Sequence, residues 1–469
     1  MTAAAMRRSV LRLACVATVL GTVAGFPMPA GAIAPPRIDP GALDAALALS
    51  GRPAPLEATE QRELCAEPVL RGSAPLEPPM SQQVLDLPSA WQFSRGAGQK
   101  VAVIDTGVNR HPRLPALQAG GDYVSDSDGT VDCDGHGTLV AGIIAARPAP
   151  DDAFVGVAPD AEILAIRQLS LAYDRKDRAG SVKEDGALRS DGYGSVLTLA
   201  GAVVRAVDMG ATVINISEVA CTAAGSNTAD GALGAAVKYA YERNVVVVAA
   251  AGNVEQGGPC QNQNEGSGWS SVTTVPSPAW FAPYVLSVGS VDADGQPSTL
   301  SLRGPWVGAA AIGRNIVSLD SRPGGTGLVD GVQTMEGVQP IDGTSFAAPY
   351  VAGLAALIRS RYPELSAQQV IDRITRTAHA PGRGRDDAIG AGLIDPTAAL
   401  TAPLSAEPPS KGADVGHPIA EPYAAPEPDS RPRQVAIAGS LILLAALGIG
   451  AAFGFPFRRR GVDLNQEFE

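Results

Sequence analysis

The chain has 469 residues, 45% of them hydrophobic and 18% charged, enough to bury a sizeable core and to hold more than one structural unit. A formal net charge of −12 argues against a nucleic acid or another polyanion as partner. No stretch has the spacing of a metal site, and nothing in the composition implies a cofactor.

In chain order, residues 1–32 read as an export signal. Arg7-Arg8 form a basic start, Val10 to Val23 is an apolar run too short to span a membrane comfortably, and Ala30-Gly31-Ala32 is a small-residue cleavage site. Residues 33–83 form a Pro-rich N-terminal extension with one short helical pattern, Pro40 to Ser50, and without the strand-rich pattern of a globular propeptide. From residue 84 to 401 short apolar runs alternate with helical patterns. The strand candidates are Val101–Ile104, Ile163–Ile166, Val213–Ile216, Val245–Ala250 and Val285–Val288. The helix candidates are Thr138–Ala146, Ser195–Met209, Ala232–Arg243, Ser345–Arg361 and Ala367–Ala378. Gly210 is a plausible stop for the second helix, and Ser366 with Gln369 makes a capping box for the last. Strands alternating with helices predict an α/β fold, a doubly wound parallel sheet with helices on both faces. Residues 168–194 break the alternation: charged, Gly-punctuated and aperiodic, they read as a long exposed loop open to proteolytic nicking or as an ordered surface flap. Residues 402–434 are a Pro/Ala-rich spacer. Residues 435–457 are an uncharged apolar run of 23 residues, about 35 Å as a helix and long enough to cross a bilayer core of about 30 Å. Arg458-Arg459-Arg460 then assign the tail, 458–469, to the cytoplasmic side.

Three motifs inside residues 84–401 carry chemistry. Asp105-Thr106-Gly107 follows the first apolar strand, Asp134-Gly135-His136-Gly137-Thr138 opens a helix, and Gly343-Thr344-Ser345-Phe346-Ala347-Ala348-Pro349 opens another. A serine hydroxyl is a poor nucleophile until a neutral imidazole takes its proton, and a buried carboxylate must hold that imidazole in the right tautomer. Asp105, His136 and Ser345 supply the acid, the base and the nucleophile in the order Asp…His…Ser. Pro349 is expected in the first helical turn, where its missing N–H has no partner to lose. The aspartic-protease reading of Asp-Thr-Gly needs a second such triplet after another strand, and the chain has none. Asn253, after the strand ending at Ala250, is placed to donate its amide N–H to an oxyanion, with Ser345 N–H as the second donor.

Cys15 falls in the signal, leaving Cys65, Cys133, Cys221 and Cys260 in an exported chain. Cys221 and Cys260 each follow a strand of the parallel sheet, which delivers its loops to one face; their pairing leaves Cys65 with Cys133.

The segment from about Val84 to Leu400 resembles the subtilisin (S8) family, in the triad and also in Arg303-Gly304-Pro305-Trp306-Val307, Ile312-Gly313-Arg314-Asn315-Ile316 and Gly392-Leu393-Ile394-Asp395. The whole layout is most similar to the mycosins, membrane-anchored subtilases of mycobacterial type VII (ESX) secretion. The resemblance implies an extracytoplasmic serine endopeptidase in the cell membrane, held in the lipid bilayer by its C-terminal helix. Its partners are then protein or peptide substrates handled by that pathway and the secretion membrane complex, which it helps to hold together. Two other functions compete: a structural subunit of that complex whose proteolysis is dispensable, and a general degradative subtilase. One departure stands out. Where typical subtilases line the substrate cleft with Ser-Leu-Gly-Gly, this chain has Ser217-Glu218-Val219-Ala220, which implies a narrower or differently charged cleft and small P1 side chains.

Overall fold

Seven strands form one parallel sheet in the spatial order Val307–Ile312, Val285–Val291, Val246–Ala250, Val213–Ile216, Lys100–Asp105, Glu162–Arg167 and Leu117–Asp122. The computed structural model describes residues 33–177, 192–255, 260–382 and 384–404. The sheet is buried on both faces, which is why its central strands are continuous apolar runs and not alternating ones. Alternation instead divides the core. Val101, Val103, Val213, Val246 and Val248 pack with helices His136–Ala145 and Thr344–Arg361. Ala102, Ile104, Ile214, Ile216 and Val247 point the other way, onto helices Val196–Asp208 and Gly231–Glu242. The chain enters the sheet at Lys100–Asp105, runs to one edge, fills in the strand between, then crosses to the other side of its first strand. Ligands bind beyond the carboxyl ends of strands where strand order reverses in this way, and Asp105 ends that first strand.

Two strands of the sheet were not among the expected elements. Leu117–Asp122, an edge strand, reads Leu-Gln-Ala-Gly-Gly-Asp, and Val307–Ile312 reads Val-Gly-Ala-Ala-Ala-Ile. Neither has the β-branched density of a buried strand. The small residues of the second are a packing requirement, since a Cβ on Gly308 would lie 2.5 Å from Leu286 Cδ1. The helix signals hold: Gly210 adopts φ +79° after Val196–Asp208 and donates its N–H to Val207 O at 2.9 Å, and Ser366 with Gln369 closes a reciprocal capping box.

The N-terminal extension is woven into this body. Asp39 caps a single 3-10 turn that leads into helix Leu43–Ser50. That helix packs on Val196–Asp208, where Gly201 leaves room for Leu49, and Arg205 donates to Ser50 O at 3.0 Å. Thr59–Gln61 pairs antiparallel with Tyr173–Arg175, and Glu67–Val69 with Gly331–Thr334, itself half of a hairpin with Gly337–Pro340. The first pairing corrects the reading of residues 168–194 as one long loop. Tyr173–Arg175 is a strand recruited by the extension, and paired Ser170 and Tyr193 backbones close the segment's ends. Such a pairing leaves no periodic trace in a three-residue strand. Residues 178–191, where nicking was expected, lie outside the described residues, as do the signal sequence, nearly all of the spacer, the 435–457 run and the tail. Among the described residues, no helix is long and apolar enough to cross a membrane.

Two disulfides are formed, Cys65–Cys133 and Cys221–Cys260. The first closes a 68-residue separation and ties the extension to the segment just before His136. On the chain-entropy model such a loop contributes about 4 kcal/mol. The double substitution Cys65→Ser, Cys133→Ser is expected to lower unfolding free energy by up to about that amount. Denaturant unfolding under non-reducing conditions measures it; an unchanged midpoint would show that the tie contributes nothing.

Candidate active site

Asp105 is fully buried at its strand end. Its Oδ1 accepts from Thr106 N at 2.8 Å and lies 2.7 Å from His136 Nδ1. His136 is the first residue of its helix, entered through Gly135 in the left-handed region at φ +77°. Close approach of the two motifs depends on Gly137. A Cβ there would lie 2.0 Å from Gly107 O and 3.0 Å from Asp105 Cβ, so any larger residue would drive His136 and Asp105 apart. The imidazole rests against Phe346, with ring centroids 4.8 Å apart.

A carboxylate outside the expected set holds these motifs together. Asp132 is buried, and its Oδ1 accepts from Thr106 Oγ1 at 2.8 Å and Gly135 N at 2.7 Å. Its Oδ2 accepts from Thr138 N at 2.9 Å and Thr138 Oγ1 at 2.6 Å. Thr106 Oγ1 in turn accepts from Gly137 N, and Asn109 ties the Asp132 backbone at both its N–H and C=O. Every bond in this network joins or braces the Asp-Thr-Gly turn and the His-Gly-Thr helix start. Asp132 stands three residues before Gly135 in a segment with no periodicity, so nothing in the sequence singles it out.

Ser345 is buried in the first turn of helix Thr344–Arg361. Pro349 lies one turn further in than expected. Its missing N–H is the one that would have served Ser345 C=O, so the site lacks a helical hydrogen bond there. Ser217 fills the gap: its hydroxyl donates to Ser345 O at 2.8 Å and accepts from Asn215 Nδ2 at 2.8 Å. Asn253 Oδ1 accepts from Thr344 N and from Thr344 Oγ1, both at 2.9 Å, which turns its amide nitrogen the other way. A Cβ on Gly343 would stand 3.1 Å from Asn253 Nδ2 and 2.8 Å from Ser345 Oγ, so the two atoms flank one small space that this glycine leaves open. Glu218 is buried with Oε1 3.7 Å from His136 Nδ1, facing the acid–base pair. Asp105, His136 and Glu218 thus bring ligand-type atoms within 4.8 Å of one another. The 2.7 Å contact within that group has hydrogen-bond length and engages the inner imidazole nitrogen.

A family model described as the subtilase family matches residues 96–392. The chain is 44% identical to Mycosin-3 of Mycobacterium tuberculosis over 464 residues, covering 95% of this chain and 98% of that relative. The chain belongs to the subtilase family and, within it, to the mycosins. Mycosins are serine proteases, which sets the reaction class. Among solved structures, MycP1 from Mycobacterium smegmatis is 43% identical with a TM-score of 0.73, covering 80% of this chain and 97% of that one. A chain of an intact ESX-5 inner membrane complex is 42% identical with a TM-score of 0.74, covering 91% of this chain and all of that chain.

Asp132 gives a test of how the mycosin site is braced. Burial raises its pKa from 3.8 to about 6. A raised folded-state value makes this group's contribution to stability full below pH 3.8 and lost as pH rises through about 6. Asp132→Asn turns an amide N–H toward donors on either side and is expected to cost about 2–3 kcal/mol, with the fall in stability between pH 3.8 and 6 flattened. Urea unfolding across that range checks both.

Proposed function

We propose that the protein is a serine endopeptidase of a type VII secretion system, with Asp105, His136 and Ser345 as its triad and Asn253 as oxyanion donor. The observation that carries the reading is the 2.7 Å contact of His136 Nδ1 with buried Asp105. An Nδ1–H donated to Asp105 leaves Nε2 neutral and basic, so that it takes the Ser345 proton as Oγ attacks a peptide carbonyl. The carbonyl oxygen gains negative charge and moves toward Asn253 Nδ2 and Ser345 N–H. His136, now protonated, donates to the leaving amine and frees the C-terminal fragment. Water, activated by the same imidazole, then hydrolyses the acyl-enzyme and restores Ser345. Asp105 stays ionised and stabilises the imidazolium.

The mycosin relatives support placing this activity outside the cytoplasm. The ESX-5 inner membrane complex includes a chain that this one covers in full, and a periplasmic assembly of that complex includes another it matches at 43% identity. On this reading residues 84–401 form the peptidase domain, residues 435–457 anchor it in the membrane with the tail 458–469 inside, and the protein also associates with a secretion membrane complex. Its substrates are proteins passing through that complex. A general degradative role fits less well, because Glu218 and its neighbours replace the open cleft strand.

Ser345→Ala is expected to lower peptide hydrolysis by about 10⁶-fold and Asn253→Ala by about 10²–10³-fold, the latter in kcat with KM little changed. Steady-state kinetics on a quenched peptide decides it: normal turnover by Ser345→Ala, or a pure KM effect in Asn253→Ala, contradicts the assignment.

A further inference from the structure

Beside the acid–base pair lies a cavity of about 350 Å³. Among the described residues its lining includes the carboxylates of Glu63, Asp134 and Glu218, together with His136, and no Lys or Arg. Leu171 and neighbouring apolar side chains form the rest of its wall. The three carboxylates arrive by different routes. Glu218 follows the strand Val213–Ile216, and Asp134 lies just before His136. Glu63 comes from the N-terminal extension, pinned there by the Cys65–Cys133 disulfide and by Ala66 N–H donating to Cys133 O at 2.8 Å. Asp134 is already spent on its own loop, accepting from Leu171 N, Ala172 N and Ser170 Oγ. An independent observation lies directly behind this wall. Asp105 is fully buried, its Oδ2 has no hydrogen-bond partner among the described residues, and its carboxylate lies within 4.8 Å of that of Glu218. Two buried carboxylates this close repel one another, and a cation brought near them is stabilised by both.

We infer that this cavity is a specificity subsite for a substrate side chain that is cationic, Lys or Arg, at a position flanking the scissile residue. The inference rests on the peptidase reading above, since it is the peptide held at Ser345 that delivers the side chain past His136. The apolar wall takes the aliphatic stem and the carboxylates take the charged head, as such side chains prefer. The subsite makes the extension part of the substrate cleft, because one of its carboxylates and part of its wall come from residues 63–66. Recognition therefore selects a basic residue near the cleavage point of the substrate.

The test is a positional-scanning peptide library with the purified full-length protein, run in EDTA so that no metal ion takes the cation's place. Fluorophosphonate labelling of Ser345 runs in parallel as a report on the triad that needs no peptide. Wild type is expected to prefer Lys or Arg over Gln at one flanking position by about tenfold in kcat/KM, chiefly through KM, and less so in 0.5 M salt, where the Debye length is only a few Å. Glu218→Gln is expected to bring that ratio close to one, and Glu63→Gln to lower it about two- to threefold. The ratio, and not the absolute rate, is the readout because Glu218 also faces His136. Labelling at Ser345 with no cationic preference overturns this inference alone. A preference that survives in both variants does the same. Failure of Ser345 to label overturns the peptidase reading and this inference with it. Glu63→Gln, on the extension, still decides the matter if Glu218→Gln does not fold.

Discussion

The 2.7 Å contact between His136 Nδ1 and Asp105 is the constraint on which the site depends, and most of the surrounding architecture exists to hold it. Asp105 is fixed by the end of a buried strand and His136 by the start of a helix two elements later in the chain. They meet because Gly137 and Gly107 let two backbones approach to a distance no side chain would permit. Asp132 then ties both sides into a single unit with four accepted hydrogen bonds. A loss of order in any of these parts misplaces the imidazole, and a misplacement of about 1 Å is costly in catalysis.

Ser345, the proposed nucleophile, is held by a second, separate device. Pro349 deprives Ser345 C=O of its helical donor, and the Ser217 hydroxyl, arriving from the neighbouring strand end, supplies another. Asn253 is oriented by Thr344, the residue beside Ser345, so the proposed oxyanion donor and the proposed nucleophile are positioned by one helix start. The covalent tie Cys65–Cys133 connects the third part, the extension, to the segment leading into the base. On the proposed reading, this tie couples stability to cleft geometry.

Legibility in the sequence followed physical signal strength. The central strands, Val101–Ile104 through Val285–Val288, are dense β-branched runs because parallel strands are buried on both faces. The edge strand Leu117–Asp122 and the Ala-rich Val307–Ile312 lack that density, and the three-residue pairings of the extension carry no period at all. Asp105, His136, Ser345 and Asn253, the proposed site residues, stand out in the sequence because each sits in a short motif at a strand end or helix start. Asp132 was not, since a buried acid held by hydrogen bonds to backbone and hydroxyl groups has no sequence pattern of its own. Ser217 and Glu218 stood out as a departure from the glycine-rich cleft strand, but their contacts did not: one hydroxyl supplies the hydrogen bond that Pro349 removes, and one carboxylate turns toward His136.

The most direct test of the account is a crystal structure of the full-length protein phosphonylated at Ser345 by a fluorophosphonate. The account predicts the phosphonyl oxygen about 2.7–3.1 Å from both Asn253 Nδ2 and Ser345 N, with His136 still bonded to Asp105. An adduct on another serine, or an oxygen turned to solvent with Asn253 Nδ2 bonded elsewhere, would contradict it.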